Sequence, residues 1–203
     1  MAKHKYLTNL EVPIQEVSFA SKAKVNMEKL SAEELLAQYA SGRRNFSDVD
    51  ISEAYLFEAN LRDIDLTGSN LQKIYLPYSN LNQANLSQTQ LQAAELSDAK
   101  LHQANLSQAD LNTANLFRVN LRYANLRGAN LASANLQGAD LYNADLSFAN
   151  LSGADLRNAN LNQANLVQAQ LSGSNLFRAQ NANLSDAYTD QTTIYPDGYS
   201  AAD

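Results

Sequence analysis

Leucine recurs at every fifth position from Leu56 to Leu176, which makes 25 consecutive leucines in one register. Phe46 and Ile51 extend this register towards the N-terminus, so the array contains 27 five-residue units. A β-strand alternates with a period of two residues and an α-helix has a period of 3.6, so neither produces this pattern. A short fixed period indicates units that bury their side chains only by stacking on their neighbours. The pattern therefore predicts an elongated solenoid.

The five positions of a unit differ in the residues that they accept. Two residues before the 25 leucines the chain has alanine in 18 units, and the position directly before the leucine is usually Asn or Asp. The two positions after the leucine vary freely. We therefore expect two side chains of each unit to point inward and three to point outward. All five glycines of the array occupy the second position after the leucine, which predicts a corner with positive φ there.

Segments of different composition flank the array. We divide the chain into an N-terminal extension (residues 1–30), a short helix (31–44), the array (45–183) and a C-terminal cap (184–203). Ser31 and Glu34 have the spacing of a capping box. The helix is predicted to cover the first coil, because the terminal unit of a repeat array has an exposed apolar face.

The register breaks at the C-terminal end of the array. The next leucine after Leu176 is Leu184, eight residues on, so we expect the last coil to bulge or end near residues 179–183. The residues after Leu184 are predicted to fold over that coil.

The repeated motif Ala-Asn/Asp-Leu-X-X, from Ala54 to Leu176, resembles the pentapeptide-repeat family. The resemblance implies an all-β solenoid, a right-handed quadrilateral β-helix of about seven coils with a short N-terminal capping α-helix. Four units would make one coil of 20 residues, and coils would stack at about the inter-strand spacing of 4.8 Å. The segment from Ser31 to Phe46 and the tail from Thr193 to Gly198 are similar to those of cyanobacterial members.

Composition excludes several classes of function. The net charge of −6 argues against direct binding of nucleic acid, and the absence of Cys excludes disulfides and thiolate sites. No apolar run follows the basic N-terminal residues, and no stretch is long enough to cross a membrane, so we predict a cytoplasmic protein. His4 and His102 have no second His or Cys nearby with which to form a site. We predict a protein that is not an enzyme and has no cofactor or metal.

The outward positions near the middle of the array contain arginines next to aromatic residues. If residues 20 apart stack, Tyr142 lies over Arg122 and Asp98 lies below Arg118. Exposed Arg and aromatic residues are typical anchors of protein interfaces. The predicted partner-binding residues are Phe117, Arg118, Arg122, Tyr123, Arg127, Tyr142 and Phe148.

Two further clusters lie near the N-terminal end of the array. An aromatic patch is expected to be covered by residues 1–45; it consists of Tyr55, Phe57, Tyr75, Pro77 and Tyr78. An acidic belt is interpreted as the partner of Arg43, Arg44 and the N-terminal lysines; it consists of Asp48, Asp50, Glu53, Glu58, Asp63 and Asp65.

The leading hypothesis is a protein–protein interaction module or scaffold, used in regulation, with an unidentified protein partner. One alternative comes from relatives of this kind that imitate DNA and bind type II topoisomerases such as gyrase. Mimicry needs negative charge along the whole rod. From residue 66 to 203, however, seven basic residues oppose ten acidic ones, and three arginines lie in the middle. A structural or stress-related role is a further alternative that no residue favours.

Overall fold

The structure is a computed structural model that describes residues 27–200. Parallel bridges join each residue at the Asn/Asp position to its equivalent four units later, such as Asn105 to Asn125 and Asn125 to Asp145. Each five-residue unit contributes one bridging residue and one two-residue turn. Four turns therefore complete each coil, and the chain forms a four-sided parallel β-helix.

Backbone hydrogen bonds connect every coil to the next. The N–H of Leu126 donates to the carbonyl of Asp145 at 2.7 Å, and the N–H of Asp145 donates to the carbonyl of Ala124 at 3.0 Å. The same pair of bonds recurs on each side of the coil. Pairing of this kind satisfies the polar groups of the backbone that surround the narrow core.

The core confirms the predicted inward positions. The leucines and the alanines two residues before them are buried along most of the array, and Leu131 and Ala134 have no exposed surface. Where the alanine position holds Ser or Thr, the hydroxyl bonds to a backbone carbonyl. Ser79 donates to Leu76 at 2.7 Å and Thr89 donates to Leu86 at 2.6 Å. These buried hydroxyl groups are therefore satisfied.

The corners also have the predicted backbone. The second residue after each core leucine has a positive φ, for example 57° at Gln108 and 65° at Gly128. The Asn or Asp before the leucine accepts a hydrogen bond from the backbone N–H two residues on, as Asp145 does from Ser147 at 3.0 Å. This Asx-type contact satisfies the first N–H of each turn. Asp140 and Asp155 make the same contact with the N–H groups of Tyr142 and Arg157, at 3.2 and 3.1 Å.

Before the array, the chain forms two short strands and one helix. Strand β1 (Glu28–Lys29) pairs in parallel with strand β2 (Val49–Asp50), and helix α1 (Ala32–Ala40) lies between them in the sequence. Ser31 and Glu34 make the predicted capping box, with bonds of 2.8 and 3.1 Å. Leu35 of α1 is fully buried in the same cluster as Phe46.

The last coil is shorter than the others. Gln170 bridges Tyr188 and Asn175 bridges Ile194, so these two partners come two residues and one residue earlier than the regular register would place them. The expected irregularity after Leu176 is therefore present. Leu184 and Ala187 pack against the core, and Thr193 is buried with its hydroxyl bonded to the carbonyl of Leu171.

The division of the chain at 30/31, 44/45 and 183/184 stays a prediction, and most of the extension predicted for residues 1–30 lies outside the described residues. Within residues 27–200, no helix has the length and apolar character needed to cross a membrane.

A pH-dependent contact ties the end of the chain to the array. Asp190 accepts hydrogen bonds from the Thr192 hydroxyl at 2.6 Å, the Thr192 N–H at 2.9 Å and the Gly173 N–H at 3.3 Å. The bonds from Thr192 lower the pKa of Asp190 to about 2. Because the folded pKa lies below the ordinary value of 3.8, ionised Asp190 stabilises the fold fully above that ordinary value, and this stabilisation is lost as the pH falls towards 2.

We expect Asp190→Asn to lower the melting temperature at pH 7 and to have a much smaller effect near pH 2, where about half of Asp190 is protonated. The variant cannot ionise, so the gap between it and the wild type follows the charge of Asp190 alone. Thermal unfolding of both proteins at pH steps between 7 and 2 measures that gap. A gap that stays constant down to pH 2 would contradict the assigned role.

Candidate protein-interaction site

The corners of the β-helix form four columns, which we label A to D. Corner A holds residues 122–123, corner B holds 127–128, corner C holds 132–133 and corner D holds 117–118, each with the equivalent pairs of the coils above and below. Corners A and B flank one side of the rod, whereas corner D lies diagonally opposite B. This arrangement decides which predicted residues share a surface.

Corner A brings together three of the predicted residues. The guanidinium of Arg122 lies 4.4 Å from the ring centre of Tyr142, in the stacking arrangement predicted from the sequence. Tyr123 makes edge contacts with Tyr142 at 5.6 Å and with His102 at 5.5 Å. The result is a connected set of rings around one arginine.

A carboxylate holds Arg122 in place. Its Nη1 donates to Oδ2 of Asp140 at 3.1 Å, and this bond raises the pKa of Arg122 above its ordinary value. Both side chains are about one-third exposed, so solvent screens the pair. The contribution of Asp140 is therefore mainly geometric, because it keeps the guanidinium on the Tyr142 ring. The sequence did not single out Asp140 as a partner of Arg122, since only the stacking of coils places the two together.

Corner B contains a second arginine on an aromatic ring. The guanidinium of Arg127 lies 4.3 Å from the ring centre of Phe148, and its Nη1 donates to the hydroxyl of Ser147 at 3.0 Å. Among the described residues, no carboxylate pairs with Arg127. The two side chains line a shallow depression of about 480 Å³, together with Ser107, Gln108, Asn125 and Gly128.

Corner D, which is adjacent to corner A and opposite corner B, holds the remaining two predicted residues. Arg118 pairs with Asp98 below it at 3.2 Å, as the stacking predicted, and its guanidinium lies 5.9 Å from the ring centre of Phe117. Because corner D is opposite corner B, Phe117 and Arg118 do not share a surface with Arg127 and Phe148. We therefore separate the seven predicted residues into an A–B face (Arg122, Tyr123, Arg127, Tyr142 and Phe148) and a corner D pair.

The geometry of the A–B face suits binding. In the described part of the chain, His102 contacts Tyr123 by a ring edge and has no acid partner, and no cluster of His, Asp and Glu could hold a metal ion. Tyr123 and Phe148 remain exposed while their neighbours hold them. Rigid aromatic groups beside arginines are typical of interface anchors.

The partners predicted for the acidic belt are present in part: Lys29, one of the N-terminal lysines, lies beside Asp50 and attracts its carboxylate, whereas the other four lysines lie outside the described residues. Arg43 pairs with Glu28 at 3.5 Å, and Arg44 lies 3.9 Å from the ring centre of Tyr39. Within and beside the belt, Arg62 pairs with Asp63 and Lys73 pairs with Glu53. Burial raises the pKa of Asp50, but hydrogen bonds from Ser52 and Asn70 outweigh this effect, so its pKa lies below the ordinary value.

The comparison with protein families identifies the class of protein. The model of pentapeptide repeats matches eight copies in residues 45–77, 79–118, 109–147 and 139–176. The chain therefore belongs to the pentapeptide-repeat family. This membership implies the right-handed course of the β-helix. No curated protein sequence matches the chain significantly.

Several solved structures are similar to this chain. HetL, a pentapeptide repeat protein involved in heterocyst differentiation regulation in the cyanobacterium Nostoc, is 30% identical, with 84% of this chain and 99% of HetL covered and a TM-score of 0.37. Rfr23 from the cyanobacterium Cyanothece is 28% identical, with coverage of 81% and 99% and a TM-score of 0.25. QnrB1, a plasmid-mediated fluoroquinolone resistance protein, is 17% identical in a trypsin-treated form, with coverage of 80% and 87% and a TM-score of 0.41.

Proposed function

We propose that this protein is a non-enzymatic interaction module that binds a protein partner through the A–B face. The observation that carries the proposal is the pair of arginines held on aromatic rings at adjacent corners. Arg122 lies on Tyr142 at 4.4 Å and Arg127 lies on Phe148 at 4.3 Å. Because Asp140 and Ser147 already orient the guanidinium groups, little side-chain entropy is lost when a partner docks.

The rigidity of the rod supports the same proposal. Around the A–B face, each coil is bonded to the next through the backbone on all four sides, so the two corners keep a constant separation. A module that acts only by binding alters the activity or the position of its partner, so the proposal includes a regulatory role. The cytoplasmic location predicted from the sequence is part of the proposal on that basis alone. The partner is a protein whose identity is open.

We also propose that α1 closes the N-terminal end of a β-helix of about seven coils. Leu35 is fully buried against the cluster that contains Phe46 and Ile51, where an uncovered coil would expose apolar side chains to water. A closed end keeps a repeat protein from stacking on a second copy. This proposal concerns the stability of the module and is separate from its binding face.

An affinity capture from native lysate tests the A–B face. We expect a Tyr123→Ala/Tyr142→Ala/Phe148→Ala variant to lose a partner that the wild type captures, as read by mass spectrometry. The matched control is Phe117→Ala/Arg118→Ala, which removes a ring and an arginine at corner D and should keep that partner. Both variants should melt within a few degrees of the wild type, because the replaced side chains lie outside the core.

The outcome has three readings. Loss of the partner in the A–B variant alone supports the proposed face. Loss in the corner D variant alone contradicts the proposed face and assigns the binding site to Phe117 and Arg118 instead. Identical lists of captured proteins for all three forms contradict a binding role for both surfaces.

A further inference from the structure

A second aromatic surface lies at the N-terminal end of the array, and no cation of the described residues lies over its rings. Four aromatic rings form a continuous patch there, which we call the four-ring patch: Tyr55, Phe57, Tyr75 and Tyr78. Tyr55 and Tyr75 stack in parallel at 4.8 Å with an angle of 9°, one coil apart. Phe57 lies 6.4 Å from both rings, and the edge of Tyr78 meets Phe57 at 5.8 Å.

The patch is open to solvent in the described part of the chain. Tyr55 is 66% exposed and Tyr78 is 55% exposed, even though each contacts another ring. Residues 27–45, which were expected to help cover the patch, pack elsewhere: Leu35 enters the core and the Tyr39 hydroxyl donates to the carbonyl of Arg62 at corner A. That prediction is therefore wrong for residues 27–45, and its remainder, residues 1–26, lies outside the described residues.

Elsewhere along the array, an arginine side chain lies over the Phe and Tyr rings at corner positions. A guanidinium from this chain lies between 4.3 and 5.9 Å from the ring centre of five corner residues, namely Phe117, Tyr123, Tyr142, Phe148 and Phe177. Over the four rings of the patch, no cation of residues 27–200 takes that place. The quadrupole of an aromatic ring attracts a cation to its face, so these four rings are the part of the array where that attraction is unused.

The charges around the patch also favour a cationic ligand. Glu58 stacks directly over the position of Tyr78 and is exposed, and Glu53 precedes Tyr55 by two residues. Glu53 forms an ion pair with Lys73 at 3.2 Å, whereas Glu58 has no ion pair within the described range. A carboxylate beside an aromatic face attracts a basic side chain and repels phosphate. Nucleic acid and anionic lipid therefore fit this surface poorly.

We propose that the four-ring patch binds an arginine-bearing segment of another protein. Arginine suits the site better than lysine because its planar guanidinium stacks on a ring while its N–H groups reach a carboxylate. Residues 1–26 contain four lysines and no arginine, so the chain itself supplies no such group from that side. The proposal concerns a different surface from the A–B face, and either can fail without the other.

Fluorescence polarisation with the full-length protein tests the proposal. The probe is a fluorescein-labelled 12-residue peptide with four arginines separated by glycine and serine. We expect Tyr55→Gln/Tyr78→Gln to weaken its binding about tenfold, because two cation–π contacts are removed without a change in charge. The control is Tyr188→Gln/Tyr199→Gln, which removes two exposed tyrosines at the other end of the rod and should change the affinity less than about twofold.

A second peptide separates ring recognition from general attraction to an acidic protein. In it the four arginines are replaced by lysines, and we expect weaker binding under the same salt conditions. Equal binding of both peptides, with no loss in Tyr55→Gln/Tyr78→Gln, would overturn the proposal. Absence of binding to the wild-type protein would overturn it as well, since the patch would then be unable to take a ligand from outside. A variant of the A–B face should bind the arginine peptide like the wild type.

Discussion

Replacing Leu131 with serine should lower the free energy of unfolding by about 4 kcal/mol. Leu131 lies in the middle of the array and has no exposed surface. The substitution removes a buried aliphatic side chain, leaves a cavity and places a hydroxyl in an apolar column. The coil cannot collapse around the cavity, because the Leu131 N–H is held by the carbonyl of Asn150 at 2.7 Å and the neighbouring coils have the same constraint. For a chain of this length the melting temperature should fall by about 10 °C.

The matched control for Leu131→Ser is Gln137→Ala, in an outward position one unit further along. Among the described residues, the Gln137 side chain takes part in no hydrogen bond, so its removal should change the melting temperature by no more than about 1 °C. Thermal unfolding followed by circular dichroism measures both variants. Equal shifts would mean that the inward and outward positions have been misassigned.

The second large effect is expected at Asn130, where alanine should cost about 2–3 kcal/mol. Its Oδ1 accepts hydrogen bonds from the Ala132 N–H at 3.2 Å and from Asn150 Nδ2 at 3.2 Å. Its Nδ2 donates to Asp110 Oδ1 in the previous coil at 2.9 Å. One side chain therefore completes a turn and links three coils, and alanine replaces none of these bonds.

The same substitution at Asn60 provides the comparison. Asn60 occupies the equivalent position but is exposed, and within residues 27–200 its side chain makes a single bond, as acceptor from Asn80 Nδ2 at 2.9 Å. We expect Asn60→Ala to cost well under about 1 kcal/mol. Urea unfolding gives both values from the shift in midpoint. Should the two variants lose the same stability, the side-chain ladder would contribute nothing beyond the local preference for Asn at a turn.

The ladder has a consequence for the surface as well as for stability. Asn160 donates to Asp140 at 2.9 Å, and Asp140 in turn accepts a bond from Arg122 of the A–B face at 3.1 Å. The anchor at corner A is therefore attached to the side-chain ladder of the rod. A variant that disturbs this column, such as Asn160→Ala, is less suitable as a binding control than one at corner D.

Most of the fold could be predicted from the sequence because its determinants lie within one five-residue unit. The leucine and alanine positions are buried, and the residue two after each leucine has a positive φ, whether it is Gly128 or Gln108. Repetition of that unit leaves little choice of architecture. The number of units per coil and the hand of the helix came instead from resemblance to a family.

The site was less predictable because its contacts join residues of different coils. Stacking of each unit on its equivalent in the next coil predicted that Arg122 would meet Tyr142 and that Arg118 would meet Asp98, and both contacts are present. The sequence placed Phe117 in the same coil as Arg127, and the stacked coils put these two residues at opposite corners of it. Residues that are two units apart lie on opposite corners, although they are close in the chain.

The five-residue period by itself determined that this protein is a solenoid with a leucine and alanine core, since burial and turn conformation are local properties of each unit. The tertiary structure decided which outward side chains act together. A long side chain such as that of Arg122 can reach either a ring or a carboxylate of the next coil, and only the packed coils show that it reaches both. The structure alone also shows that the four-ring patch is left open by residues 27–45, because exposure depends on where the preceding segment packs.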